Sequence, residues 1–113
     1  MHELSIAQSI LDTVNQQAAL NSAARVVSIH LRIGELTAIV HDALTFSFEI
    51  VAQGTCAQGA VLEIEQVPWQ IRCAGCALEF HVQGANLSCP NCQHMGGETI
   101  TGRELQIVEM NVE

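Results

Sequence analysis

Between residues 4 and 20, Leu4, Ala7, Ile10, Leu11, Val14 and Ala18 recur at helical spacing, while Ser5, Ser9, Asp12, Gln16 and Gln17 fall elsewhere. One apolar stripe of this width predicts an amphipathic helix. Glu3 lies at its start, where the helix dipole favours a negative charge, and Asn21-Ser22 is a natural stop. The period then changes from 3.6 to 2. Val27, Ile29, Leu31 and Ile33 alternate with Ser28, His30 and Arg32, the pattern of a half-buried strand that Gly34 ends.

Residues 42–53 carry two periods at once. Leu44, Phe46, Phe48 and Ile50 alternate as in a strand, yet Leu44, Phe48 and Val51 also share a helix face. A length of about a dozen residues, with Asp42 as N-cap and Gly54 as stop, favours the helix. Val61 to Val67 reads as a second strand halted by Pro68. Leu105 to Val112 reads as a third. Its apolar set changes parity from Leu105 and Ile107 to Val108, Met110 and Val112, which predicts burial on both faces or a bulge near 107–108.

Residues 69–98 interrupt this order with a different composition: four of the five cysteines, plus Gly75, Gly84, Pro90, Gly96 and Gly97. The expected architecture is α+β, with two helices packed on a three-stranded sheet and an inserted cysteine module. Residues 1–68 plus 99–113 would form the α/β domain and residues 69–98 the module.

Composition narrows the function classes. Apolar residues make up 49% of the 113, enough to bury a core, and aromatics only 4%, so that core is aliphatic. Four arginines and no lysine stand against twelve acids, a formal charge of −8. Nucleic acid and anionic membrane surfaces are held chiefly by Lys and Arg, so neither is an expected partner. A cation, or a partner with a basic patch, fits better. No stretch approaches the ~18 continuous apolar residues of a membrane span. Met1-His2-Glu3 lacks the basic start and apolar run of a secretory signal. The expected location is cytoplasmic, where thiols stay reduced and clustered cysteines point to metal before disulfides.

Cys73-Ala74-Gly75-Cys76 and Cys89-Pro90-Asn91-Cys92 are separated by twelve residues. Two residues between cysteines let a tight turn aim both sulfurs at one ion, and Gly75 and Pro90 suit such turns. Two turns close a tetrahedral four-sulfur shell, which Zn(II) accepts without geometric cost. Iron in a rubredoxin-like site or an iron–sulfur cluster uses similar ligands. Leu78 to Val82 can form strand between the two turns, as in zinc ribbons. Four thiolates leave no open position for water or substrate, so the role is structural or regulatory rather than hydrolytic. His81 and His94 flank the cysteines and can act as donors to the thiolates or replace one. Cys56 stands alone and reads as a small packed residue.

The N-terminus offers a second donor set. A bulky second residue disfavours removal of the initiator Met, so the free amine is expected on Met1. That amine, the His2 backbone nitrogen and the His2 imidazole can chelate one ion through adjacent rings, with the carboxylate or amide of Glu3 as nearest fourth donor. Planar nitrogen-rich sets favour Ni(II) or Cu(II). Only neutral imidazole ligates, so affinity should fall below about pH 6.5, the ordinary histidine value.

Met1-His2-Glu3-Leu4-Ser5 resembles the opening of the HypA/HybF nickel-incorporation proteins, which mature [NiFe] hydrogenases. The paired motifs at 73–76 and 89–92 resemble that family's zinc module. Phe46-Ser47-Phe48-Glu49-Ile50-Val51 with Gly54-Thr55, and the closing Glu104-Leu105-Gln106-Ile107, are similar to its segments, so the resemblance spans the chain. It implies a metallochaperone that holds Ni(II) weakly as cargo, with His2 as ligand and Met1 and Glu3 contributing. It implies structural Zn(II) on Cys73, Cys76, Cys89 and Cys92. Its implied partners are a hydrogenase-maturation GTPase and the [NiFe] hydrogenase large subunit precursor, with urease served by some members. It also implies two helices on a three-stranded sheet plus a zinc ribbon, with residues 42–53 helical. The alternative from the residues themselves is a zinc-ribbon protein–protein adaptor without a nickel role. No nucleophile–base pair or phosphate loop stands out, so no enzymatic activity is expected. Asp42 reads as a helix cap, and His30 and His41 as exposed polar positions.

Overall fold

A computed structural model of the chain describes residues 2–113, so expectations that concern Met1 lie outside the described residues. In chain order the elements are helix α1 (Glu3–Leu20), strand β1 (Val26–Gly34), a 3-10 turn (Glu35–Thr37), helix α2 (His41–Val51), and strands β2 (Val61–Val67), β3 (Gln70–Cys73), β4 (Glu79–His81), β5 (Gly97–Thr101) and β6 (Leu105–Val112). The class is α+β, as the residue pattern predicts. Two three-stranded sheets form, ordered β2-β1-β6 and β4-β3-β5. No helix among the described residues is long and apolar enough to cross a membrane.

The chain divides into two compact units. One takes the chain to Arg32 with Ile39–Glu65 and Gln106–Glu113; the other takes Ile33–Ala38 and Gln66–Leu105. In the first unit, α1 and α2 pack on each other. Its core joins Ala7, Ile10, Leu11, Val14 and Ala18 of α1 to Leu44 and Phe48 of α2 and to Val26, Ile29 and Leu31 of β1. Each fully buried Leu, Ile, Val or Phe contributes about 1.5–3 kcal/mol of apolar transfer. The predicted stripe on α1 is therefore the buried one except at its start, where Leu4 is 55% exposed. The first turn of the helix reaches beyond the core.

α1 ends as a Schellman motif. The Ala23 N–H donates to the Ala18 carbonyl, the Ser22 N–H donates to Ala19, and Ser22 takes a φ of 53°. The Asn21 amide also donates to the Gln17 carbonyl. The helical period wins in α2: Leu44 and Phe48 are buried, whereas Phe46 and Ile50, which the strand pattern would bury with them, are exposed. Asp42 does not cap this helix. The N-cap is Val40 and Asp42 lies within the first turn. A carboxylate does meet the start of α2, but it comes from Glu3, whose Oε2 accepts the Val40 N–H at 3.1 Å.

β6 is an edge strand, and burial on both its faces does not occur. Leu105, Val108 and Val112 are exposed, and Ile107 and Met110 are only half-buried. It pairs with β1 on one side and ends the sheet on the other. The spacing of three between those half-buried residues breaks strict alternation, in keeping with the parity change in the sequence. His30 is half-buried rather than exposed: on the central strand, it lies 3.5 Å from Glu65 and 3.8 Å from Glu109. His41 is also half-buried, at the start of α2.

In the second unit, β3 pairs antiparallel with both β4 and β5. Arg72 stands directly opposite Glu79 on one side and Glu98 on the other, at 2.8 and 3.1 Å. Its buried apolar side chains include Val67, Ile71, Val82, Cys73 and Cys89, together with Ile33. So small an apolar set cannot alone order some forty residues.

Candidate metal centres

The two cysteine turns are copies of one local structure. In the first, the Gly75 N–H donates to Cys73 Sγ at 3.2 Å, the Ala77 N–H to the Cys73 carbonyl, and the Cys73 N–H to the Leu78 carbonyl. In the second, the Asn91 N–H donates to Cys89 Sγ at 3.4 Å, the Gln93 N–H to the Cys89 carbonyl, and the Cys89 N–H to the His94 carbonyl. Ala77 and Gln93, each four residues after the leading cysteine, both take the left-handed conformation, at φ 65° and 63°. Such turns aim backbone N–H groups at sulfur, which favours thiolate over thiol.

Together the two turns bring Cys73, Cys76, Cys89 and Cys92 to one point, with all four sulfurs within 4.8 Å of one another. Cys73 and Cys92 lie 3.5 Å apart and Cys76 and Cys89 3.6 Å. A Zn–S bond of ~2.3 Å in a tetrahedron requires sulfurs about 3.8 Å apart, whereas a disulfide requires ~2.05 Å. The spacing fits a tetrathiolate metal and no bridge. The leading cysteine of each turn is buried and the trailing one exposed.

Titration follows the same geometry. The Asn91 side-chain amide, at 3.5 Å from Cys76 Sγ, and the Leu78 N–H lower the Cys76 thiol to about 6. The Cys76 and Gly75 N–H groups lower Cys73. At Cys92 the His94 N–H pulls down, but the surrounding thiols and burial prevail and push it up to about 12. Four sulfurs this close resist full ionisation unless a cation sits among them. The donor chemistry thus fits Zn(II), which these four residues could hold.

His81 is turned to another task. Its Nε2 lies 3.1 Å from Glu35 Oε1, and the same carboxylate oxygen accepts the Trp69 N–H at 2.8 Å. The Trp69 N–H and then His81 lower the Glu35 carboxyl. His94 is exposed and joins the cysteines through its backbone. Cys56 is half-buried, its thiol 3.4 Å from Asn15 Oδ1. Asn91 and Glu35 are the functional-looking residues that pattern reading passes over. An amide between the cysteines of the second turn was the available signal for Asn91; for Glu35 none precedes the fold.

At the other donor set, His2 is exposed and forms the N-cap of α1, its carbonyl accepting the Ile6 N–H at 2.9 Å. Its imidazole makes no cap contact. Glu3, the first helical residue, has its carboxyl lowered to about 2 by the Val40 N–H and by its own N–H.

A family model described as hydrogenase/urease nickel incorporation, metallochaperone, hypA, matches residues 1–112. The chain belongs to the HypA family. The hydrogenase maturation factor HypA of Streptomyces avermitilis is 43% identical over 115 residues, covering 100% of this chain and 88% of that one. The factor of the same name from Chloroflexus aurantiacus is 43% identical over 111 residues, covering 97% of each. Two solved structures share the fold. The Ni metallochaperone HypA from Helicobacter pylori has a TM-score of 0.66 at 22% identity, covering 99% of this chain and 97% of that one. A second HypA protein has a TM-score of 0.74 at 21% identity, covering 100% and 97%. The HypA family consists of metallochaperones for nickel incorporation rather than catalysts.

Proposed function

We propose that this HypA chain binds Ni(II) as cargo at its N-terminus and delivers it for maturation of [NiFe] hydrogenase. His2 is the principal ligand, with the Met1 amine and Glu3 contributing. The supporting observation is His2 itself: its carbonyl accepts the Ile6 N–H and starts α1, while its ring stands exposed. An anchored but uncovered chelate suits an ion that must be both held and given up. The site belongs to residues 1–68 with 99–113, and the ribbon of residues 69–98 carries zinc. Zinc on Cys73, Cys76, Cys89 and Cys92, when bound, supplies a four-way cross-link to a segment with little apolar core. The recipient is the hydrogenase large subunit precursor, and a hydrogenase-maturation GTPase is the working partner. The net charge of −8 suits a partner that offers a basic patch. The protein works in the cytoplasm.

The test is a Ni(II) titration of zinc-loaded protein with its native N-terminus, beside His2→Ala and a form with two extra N-terminal residues. Native protein should bind nickel and both variants should lose it. Equal binding by all three would put nickel elsewhere and favour the zinc-ribbon adaptor.

A further inference from the structure

Within the proposed nickel segment, Glu3 is the residue whose side chain is already engaged. Its Oε2 accepts the backbone N–H of Val40 at 3.1 Å, across 37 positions of sequence. Val40 is the N-cap of α2, and that helix has no side-chain cap of its own. The two helices also pack on each other through the core. Apolar packing adds little at the start of α1: Leu4 is 55% exposed and His2 is exposed, and burial begins at Ile6 and Ala7.

The geometry points to Glu3 as a positioning residue, whose carboxylate fastens the His2 chelate to the backbone at the start of α2. The effect of the carboxylate on nickel is then indirect, and what Glu3 contributes as a donor comes from its backbone amide. The tie restricts the segment before the metal arrives, and less ordering remains to be done on binding. Linkage runs both ways: if the tie favours nickel, nickel favours the tie. The Val40 amide, buried in no sheet and remote in sequence from His2, becomes a reporter of nickel loading. This inference rests on the N-terminal nickel reading but makes a claim which that reading does not.

Three forms separate the two: His2→Ala, Glu3→Ala and Glu3→Gln, each with zinc bound, measured for nickel affinity and for hydrogen exchange at the Val40 amide. A Gln side-chain oxygen can still accept the Val40 N–H but is a poor anionic ligand. Glu3→Gln should bind nickel within a few-fold of the native protein, and Glu3→Ala about tenfold more weakly. Nickel should slow Val40 exchange in the native protein and not in Glu3→Ala. A merely structural role would leave no nickel-dependent difference at Val40. The inference is overturned if Glu3→Gln loses nickel as fully as Glu3→Ala, which makes the carboxylate a direct ligand. It is equally overturned if nickel leaves Val40 exchange unchanged in native protein. Retention of nickel by His2→Ala would instead overturn the nickel reading beneath it.

Discussion

The cysteine cluster and the N-terminal segment are built on opposite lines. Around the cysteines, two copies of one turn fix every donor: backbone N–H groups point at sulfur, left-handed residues follow each pair, and two of the four sulfur-bearing residues are buried. At the N-terminus the start of α1 carries an exposed imidazole, and the neighbouring Glu3 carboxylate accepts the Val40 N–H. The first arrangement can meet an ion on all sides, with four sulfurs converging on one point. The second meets an ion on one side only. On the proposed reading, in which one metal is kept and another handed on, this contrast in coordination matters more than any difference in ligand hardness.

The largest break in the comparison comes from removing the kept ion. The second unit buries few apolar residues, and structural zinc in small modules supplies about 10–16 kcal/mol of binding energy that appears as folding energy. Stripping zinc with a chelator, or replacing buried Cys89 by Ser, should therefore collapse the amide NMR dispersion of residues 70–101. Amides of α1 and the middle of β1 should keep their native shifts. A chelated protein that retained dispersed signals for β3, β4 and β5 would mean the module folds on its apolar contacts alone.

A smaller break leaves the ligands in place and perturbs the frame. Gly97 pairs with Cys73 in the β3–β5 ladder, and a Cβ there would fall on the Arg72 carbonyl oxygen, a backbone atom that cannot turn aside. Gly97→Ala must push β5 off β3 beside a metal ligand. Overpacking of this kind typically costs about 1–3 kcal/mol. The expected result is a lower denaturation midpoint for the zinc-loaded protein with nickel affinity unchanged. A drop in nickel affinity as large as that in stability would show that the N-terminal site depends on the module's integrity.

What could be read beforehand follows the range of the interactions. The cysteine turns are local, so their spacing already implied convergent sulfurs. The helix at 41–51 was ambiguous by period because Phe46 and Ile50 are apolar yet exposed; its length decided it correctly. Asp42 misled because capping is a preference of residue type, and here a carboxylate from 37 residues earlier takes the neighbouring position. β6 misled for a similar reason. Its parity change allowed two covered faces or a bulge, and cover depends on what packs against the strand; Leu105, Val108 and Val112 are exposed. Glu35, which joins Trp69 and His81, belongs to the same class: an exposed acid after Gly34 has no local mark of the partners that the fold brings to it.

The finest adjustment to the contrast lies in Asn91. Its backbone N–H serves Cys89 and its side-chain amide serves Cys76, so one residue helps to hold two thiolates. The Cys76 thiol, near 6, lies below the ordinary cysteine value of about 8.5. With the folded value lowered, the thiolate's contribution is fully present above the unfolded value and fades as pH falls through about 6. Protons and zinc compete for the same sulfur, so this depression also lets the site keep its metal further into acid. Asn91→Ala removes the amide donor while leaving the backbone donor to Cys89. The thiol then rises, and protons win sooner. Zinc release followed with a chromogenic chelator during acidification should move to higher pH by a fraction of a unit. A midpoint that stays put would mean that the backbone donors set the thiolates by themselves. The module would then owe its acid tolerance wholly to the repeated turn, and its second copy would need no help from the side chain between its cysteines.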